Sequence, residues 1–192
     1  SLTYGPYKDV AAKSVSPTTV HYLNNKPFAK LTKTEIDIEV SHWGQSSVEE
    51  VHELQHTGAK LIGGFSRFDF QMKQQASTPS FSQMAATLPA QAHSIYYRDQ
   101  IGNISTSDMR RTENGIELDA TTRFPLFGGW KTQFYLGYSI PTANILSVNS
   151  ESGKYTVSVD LFPVFEDMAV GELTLKLVLP EGSTDIAVNL PE

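Results

Sequence analysis

A chain of 192 residues, 40% hydrophobic and 19% charged, is an ordinary globular mixture, long enough to bury one good core or two small ones. Its net charge of -6 and its lack of any Lys/Arg block exclude the electrostatic footprint of a nucleic-acid or anionic-lipid binder. With no cysteine it can form neither disulfides nor thiolate metal sites, and no apolar run approaches the eighteen residues of a membrane-spanning helix.

The chain opens Ser-Leu, without Met or a signal peptide, and reads as a piece excised from a longer protein. Tyr4-Gly-Pro-Tyr7 is a turn-like start, and Thr19–Leu23 a short strand ended by Asn24, Asn25 and Pro27. Phe28–Trp43 is the first long strand, with Ile36, Ile38 and Val40 on one face and Glu35, Asp37 and Glu39 on the other, broken by Gly44. Ser46–Thr57 reads two ways. Val48, Val51 and Leu54 stand at helical spacing, with Ser46 and Glu49 as a capping box and Gly58 as a stop. As a strand, the same segment needs a bulge near Glu50.

Leu61–Gln71 carries Gly63-Gly64 and then an alternating aromatic run, FSRFDFQ. Polar Gln74–Ser80, with Pro79, is the expected mobile loop. Phe81–Leu88, Ser94–Asp99 and Asn103–Arg111 follow as strands, and Asn114-Gly115 marks a tight turn. From Ile116 to Phe124 and again from Phe134 to Ile140, apolar and polar residues alternate strictly. Between these runs Pro125 stops ladder pairing, Gly128-Gly129 admits backbone angles closed to other residues, and Phe124, Phe127 and Trp130 crowd a packed corner. Thr142–Gly153 is loop-like. Tyr155–Leu161 and Leu173–Leu179 alternate as strands, and Ile186–Leu190 is a last short one. About ten strands punctuated by Gly, Pro and Asn predict an all-β, antiparallel β-sandwich with little or no helix.

Two stretches carry a family resemblance. RFPLFGGWK, starting at Arg123, and YYRDQIGNIST, Tyr96–Thr106, closely resemble ribophorin I, an accessory subunit of the eukaryotic oligosaccharyltransferase; EVSHWG, ending the first long strand, fits the same pattern. The resemblance runs from about Tyr4 to the C-terminus. It implies one lumenal β-sandwich domain spanning residues 1–192 of a longer chain, with the family's single membrane span C-terminal to it and no membrane insertion by this piece. It implies a place on the lumenal side of the endoplasmic reticulum membrane, beside a catalytic subunit that transfers oligosaccharide from dolichol pyrophosphate to asparagine. The implied partners are the other transferase subunits, with nascent polypeptide and translocon as further candidates and no nucleic acid. The implied role is non-catalytic scaffolding, without a cofactor. The resemblance also makes Ser46–Thr57 a strand continuing the sheet.

Three constellations bear on chemistry. His52-Glu53-Leu54-Gln55-His56 fits H-E-x-x-H, which on a helix holds Zn²⁺ between two histidines with Glu53 as general base. A hydrolytic zinc needs a third ligand. No Glu lies between Glu53 and Glu113, and no His follows at the metzincin position. On a strand the two histidines are too far apart for one metal, and the segment then shows two surface histidines on a polar face. The pairs Glu49/Glu50, Asp37/Glu39 and Glu166/Asp167 read as solvated acids rather than a facing catalytic pair. Asn103-Ile104-Ser105 is the only N-x-[ST] sequon and follows a turn. With the ribophorin I pattern placing a sequon after the same strand, Asn103 is the expected glycan acceptor. Trp43, Trp130, Tyr96, Tyr97, Phe65, Phe68 and Phe70 are candidate exposed aromatics; a free-standing carbohydrate-binding sandwich would use Trp43 or Trp130.

Overall fold

The computed structural model describes residues 5–20, 22, 24, 26–72 and 79–190. In chain order they form β1 (Ala29–Val40), β2 (Gln45–His56), the short helix α1 (Arg67–Met72), β3 (Ser80–Leu88), β4 (His93–Asp99), β5 (Asp108–Thr112), β6 (Gly115–Phe127), β7 (Lys131–Pro141), a 3-10 turn at Thr142–Asn144, β8 (Leu146–Val148), β9 (Tyr155–Val157), β10 (Ala169–Val170) and β11 (Leu173–Val178). β1, β2, β7 and β4 lie side by side, antiparallel, in one sheet. β3, β6 and β5 make a second antiparallel sheet, and β8 pairs with β9.

The two main sheets pack face to face as a sandwich. Leu31, Ile36, Ile38, Val48, Leu54, Phe134, Leu136 and Ile140 from the larger sheet meet Met84, Ala86, Leu88, Ile116, Leu118 and Leu126 from the smaller in one buried cluster. Alternation along each strand sets this up, since every second side chain points to the same face. The larger sheet is not purely antiparallel. β10 and β11 both run parallel to β1 along its outer edge.

β6 and β7 sit in different sheets, so the Arg123–Pro141 stretch is a crossover corner. Pro125 interrupts the β3 ladder as expected: Gln83 faces Thr121, and pairing resumes only at Phe81 and Leu126. Both corner glycines have a use. A Cβ on Gly128 would fall 1.8 Å from the Ala59 carbonyl oxygen, and Gly129 has φ +89°. The turn is tied to β2 by Gly129 N–H donating to the His56 carbonyl (2.8 Å) and His56 N–H to the Trp130 carbonyl (3.0 Å). Phe65 and Phe70 pack around Phe127, with Phe65 also against Trp130, ring centroids 5.3–5.6 Å apart.

Several expectations need correction. Ser46–Thr57 is a strand, but without a bulge near Glu50. The irregularity lies in β1 between Leu31 and Lys33, where the Thr32 hydroxyl donates to the Glu53 carbonyl (3.1 Å). β2 therefore keeps strict period two, which turns Val51 outward and Glu50 inward. FSRFDFQ is not extended through its length: Arg67–Met72 is helical, with none of its side chains buried. Thr19, Val20 and Tyr22, the described part of Thr19–Leu23, are exposed and belong to no strand; Tyr4 lies outside the described residues, as does most of Gln74–Ser80. The strand after the sequon starts at Asp108 rather than Asn103, and β9 stops at Val157. Ile186–Leu190 has strand alternation but, among the described residues, no partner strand.

Candidate functional site at the Asn103 turn

β4 ends in Tyr97-Arg98-Asp99, and a two-residue turn through Gln100 and Ile101 folds the chain back on it. Asp99 and Gly102 exchange backbone hydrogen bonds (3.0 and 3.2 Å), Arg98 bridges to Asn103, and Ile104 N–H donates to the Tyr97 carbonyl (3.1 Å). Ile104 is buried while Asn103 and Ser105 on either side are exposed. The middle residue of the sequon thus plugs into the core and leaves its two functional residues at the surface. Arg98 Nε donates to Asn103 Oδ1 (2.9 Å). Asn103 Nδ2, the atom a glycan bond would use, has no hydrogen-bond partner among the described residues.

Asp99 holds this turn from inside. Its Oδ1 accepts from the backbone N–H of Ile101 (2.9 Å) and Gly102 (3.0 Å). Arg123, reaching over from β6 in the other sheet, donates to both Asp99 carboxylate oxygens and to the Gly102 carbonyl (3.2 Å). The fork of a guanidinium suits this two-point contact. Asp99 is nearly buried, and the Arg123 hydrogen bonds, helped by the two backbone N–H groups, hold its carboxyl down at about 2. Asp99–Arg123 clamps the two sheets together directly behind the sequon. In the sequence these are two charged residues in alternating runs, with nothing to show that they meet.

Beside the turn, on the outer face of the larger sheet, Tyr96 lies across Gly137, its cross-strand partner on β7. Its hydroxyl donates to Glu49 on β2, and the Arg98 guanidinium stacks on its ring, 4.5 Å from the centroid. Burial and the Glu49 carboxylate push the Tyr96 phenol up to about 12. Tyr97, the next residue, points inward, is buried and packs edge-on against Phe134.

The H-E-x-x-H residues are dispersed by the strand. His52 and His56 are both fully buried, correcting the expectation of surface histidines, while Glu53 lies on the opposite, exposed face. Four residues of extended chain separate the histidines by about 13 Å. All four ring nitrogens are engaged: His52 Nδ1 with Thr34 Oγ1 (3.2 Å), His52 Nε2 with Glu50 Oε2 (3.1 Å), His56 Nε2 with the Pro79 carbonyl (2.9 Å) and His56 Nδ1 with Gly58 N–H (3.0 Å). Glu50, expected among the solvated acids, is buried too, and its Oε2 also accepts from Val164 N–H (3.3 Å). Phe134 and Phe165 flank the His52 ring at 5.1 Å each. This buried polar set joins β1, β2 and the segment carrying Val164 and Phe165. It lies beyond the reach of substrate.

The other acids are also apart. Glu49 and Glu50 point to opposite faces, and Asp37 pairs with Lys176 (3.0 Å) on the outside. Glu166 accepts the Thr87 hydroxyl (2.7 Å). Trp43 is 93% exposed at the β1–β2 tip, next to the Pro141 end of β7, whereas Trp130 adjoins the Lys131 end. Eleven residues of strand put about 35 Å between them, so they share no sugar site.

Comparison with known proteins adds a second line of evidence. The family model described as Ribophorin I matches residues 1–192. The Caenorhabditis elegans protein named dolichyl-diphosphooligosaccharide–protein glycosyltransferase subunit 1 is 46% identical over 192 residues, covering 99% of this chain and 32% of its own length. The Arabidopsis thaliana subunit 1A is 45% identical over 191 residues, covering 99% and 31%. The chain therefore spans about a third of the length of these relatives. Among solved structures, yeast LTA4 hydrolase in complex with bestatin is 11% identical and aligns over 86% of this chain and 26% of its own, at a TM-score of 0.48. That likeness is too loose to bear on fold or chemistry.

Proposed function

This chain belongs to the ribophorin I family, and from that premise we propose that it is a non-catalytic, lumenal scaffold of the oligosaccharyltransferase of the endoplasmic reticulum. The observation that carries the reading is similarity of 45–46% along essentially the whole chain to proteins named as subunit 1 of that transferase. The side-chain geometry supports the non-catalytic part. The residues best suited to acid, base or metal chemistry are buried in the core or divided between opposite faces of β2. What the sandwich offers to solvent is a broad sheet face bearing Glu49, Tyr96 and Arg98, a surface for protein contact. The partners in this reading are the catalytic subunit and other subunits of the complex. The transfer reaction is theirs.

Asn103 is the proposed glycan acceptor of the domain, with Ser105 completing the signal. Its support is local: an exposed asparagine whose Nδ2 is unengaged, on a turn fastened by Ile104 and by the Asp99–Arg123 clamp.

Affinity purification of the full-length protein in mild detergent tests the scaffold reading. Stoichiometric recovery of other transferase subunits is the expected result; elution of the protein alone would overturn it.

A further inference from the structure

Among the described residues the edge strands of the two main sheets are β4, β5, β3 and, one after the other along β1, the two-residue β10 and the longer β11; the first three are guarded. β4 has an irregular register between His93 and Tyr96, with Ser94 at φ +54°, and Asn103 caps its end. β5 is short and bears Asp108, Arg110 and Arg111. The outer edge of β3 is covered where Thr87 N–H donates to the Val164 carbonyl (3.3 Å) and Glu166 N–H to the Ala85 carbonyl (3.0 Å). These are the usual ways of blunting an edge.

β11 is the exception. It pairs with β1 along all six residues, and among the described residues its other side has no partner strand. Its only charge, Lys176, is tied down to Asp37. Thr34 N–H donates to the Glu172 carbonyl (2.8 Å), so in a parallel ladder residues 172, 174 and 176 turn their backbone groups toward β1. Leu173, Leu175 and Leu177 then present theirs to the open side. The apolar surface stops unfinished at the same place. Leu173 and Leu175 are only half-buried, Leu177 is 37% exposed, and Ile186, Val188 and Leu190, alternating beyond β11, are themselves exposed.

We propose that the open side of β11 is the docking edge for an extended strand of the same polypeptide, supplied from outside residues 1–192. The relatives carry about twice as much sequence outside the matched region as within it, so such a strand has a source in cis. A tethered strand acts at about millimolar effective concentration, an advantage a separate chain lacks. The strand that fits is apolar on alternate residues, to lie over Leu175 and Leu177, and polar on the face beside Lys176.

Hydrogen–deuterium exchange on the full-length protein in detergent, resolved to single amides by fragmentation, tests this without any substitution. The amides of Leu173, Leu175 and Leu177 are expected to exchange as slowly as those of Thr174, Lys176 and Val178. Fast exchange at the three leucines would overturn the proposal. So would protection that appears only at high protein concentration, which means a second copy, or only when another protein is added. Leu175→Pro compared with Leu175→Ala gives a second reading. A free outward edge tolerates proline, whereas a paired one makes Leu175→Pro the markedly less stable of the two in the full-length protein.

Discussion

A single hydrogen atom is all that the side of Gly137 facing Tyr96 can carry: a Cβ at residue 137 would lie 2.1 Å from the tyrosine Cζ and 2.3 Å from its hydroxyl oxygen. The glycine leaves room for the Tyr96 ring to cross β7 and reach Glu49 on the strand beyond. Gly137→Ala is expected to swing the ring aside, breaking the Glu49 hydrogen bond and the Arg98 stacking, and to lower stability by about 1–3 kcal/mol. In a Tyr96→Ala background the same substitution should cost little, because nothing remains to displace. A double-mutant cycle by urea unfolding checks this non-additivity.

The Glu50–His52 pair predicts a different pattern. His52→Leu leaves a buried carboxylate with Val164 N–H as its remaining donor, and the expected loss is about 3–5 kcal/mol. Replacing both residues, Glu50→Leu with His52→Leu, removes the buried carboxyl group left without its partner and should cost less than the single change. Thermal unfolding of the parent, the single and the double variant is the measurement; a double variant as unstable as His52→Leu or more so would contradict this reading.

Asp99 sets a pH dependence whose sign follows from its lowered pKa. The unfolded chain protonates this carboxyl near 3.8 and the folded protein near 2. Above the unfolded value both states are ionised and the contribution is complete. As pH falls from about 4 toward 2 the unfolded state binds the extra proton, and the contribution is lost through that window. Urea midpoints between pH 6 and 2.5 should fall less steeply for Arg123→Met than for the parent, since removing the guanidinium removes the main cause of the shift.

At the sequon, protein made in a eukaryotic secretory host should carry one N-linked glycan. Asn103→Gln and Ser105→Ala should each remove it, with intact mass falling by the mass of one glycan. Wholly unmodified Asn103 in that host would end the proposal.

The strands of the core were readable because their side chains obey period two. Ile36, Ile38 and Val40, or Phe134, Leu136 and Ile140, announce a buried face on their own. β2 was harder, since its inward face carries Ser46, Glu50, His52 and His56 among two aliphatics. Hydropathy marks such residues as surface, and only the partners they find inside, Thr142 for Ser46, Thr34 for His52 and Pro79 for His56, make the burial possible. Those partners come from segments up to 96 residues away, which no local pattern reports. The Asn103 sequon was visible as three letters. Its setting, with Ile104 as the plug and Arg123 arriving from the other sheet, was not. Ile186–Leu190 fails in the opposite sense: it has strand alternation but joins no strand among the described residues.

In the proposed scaffold role, this polypeptide belongs to a transferase without performing the transfer. The most direct measurement is oligosaccharide transfer to an acceptor peptide by full-length protein purified in mild detergent, before and after the associated subunits are stripped away. Activity is expected in the assembled fraction and none in the stripped, still folded protein. Transfer by the stripped protein alone would contradict it.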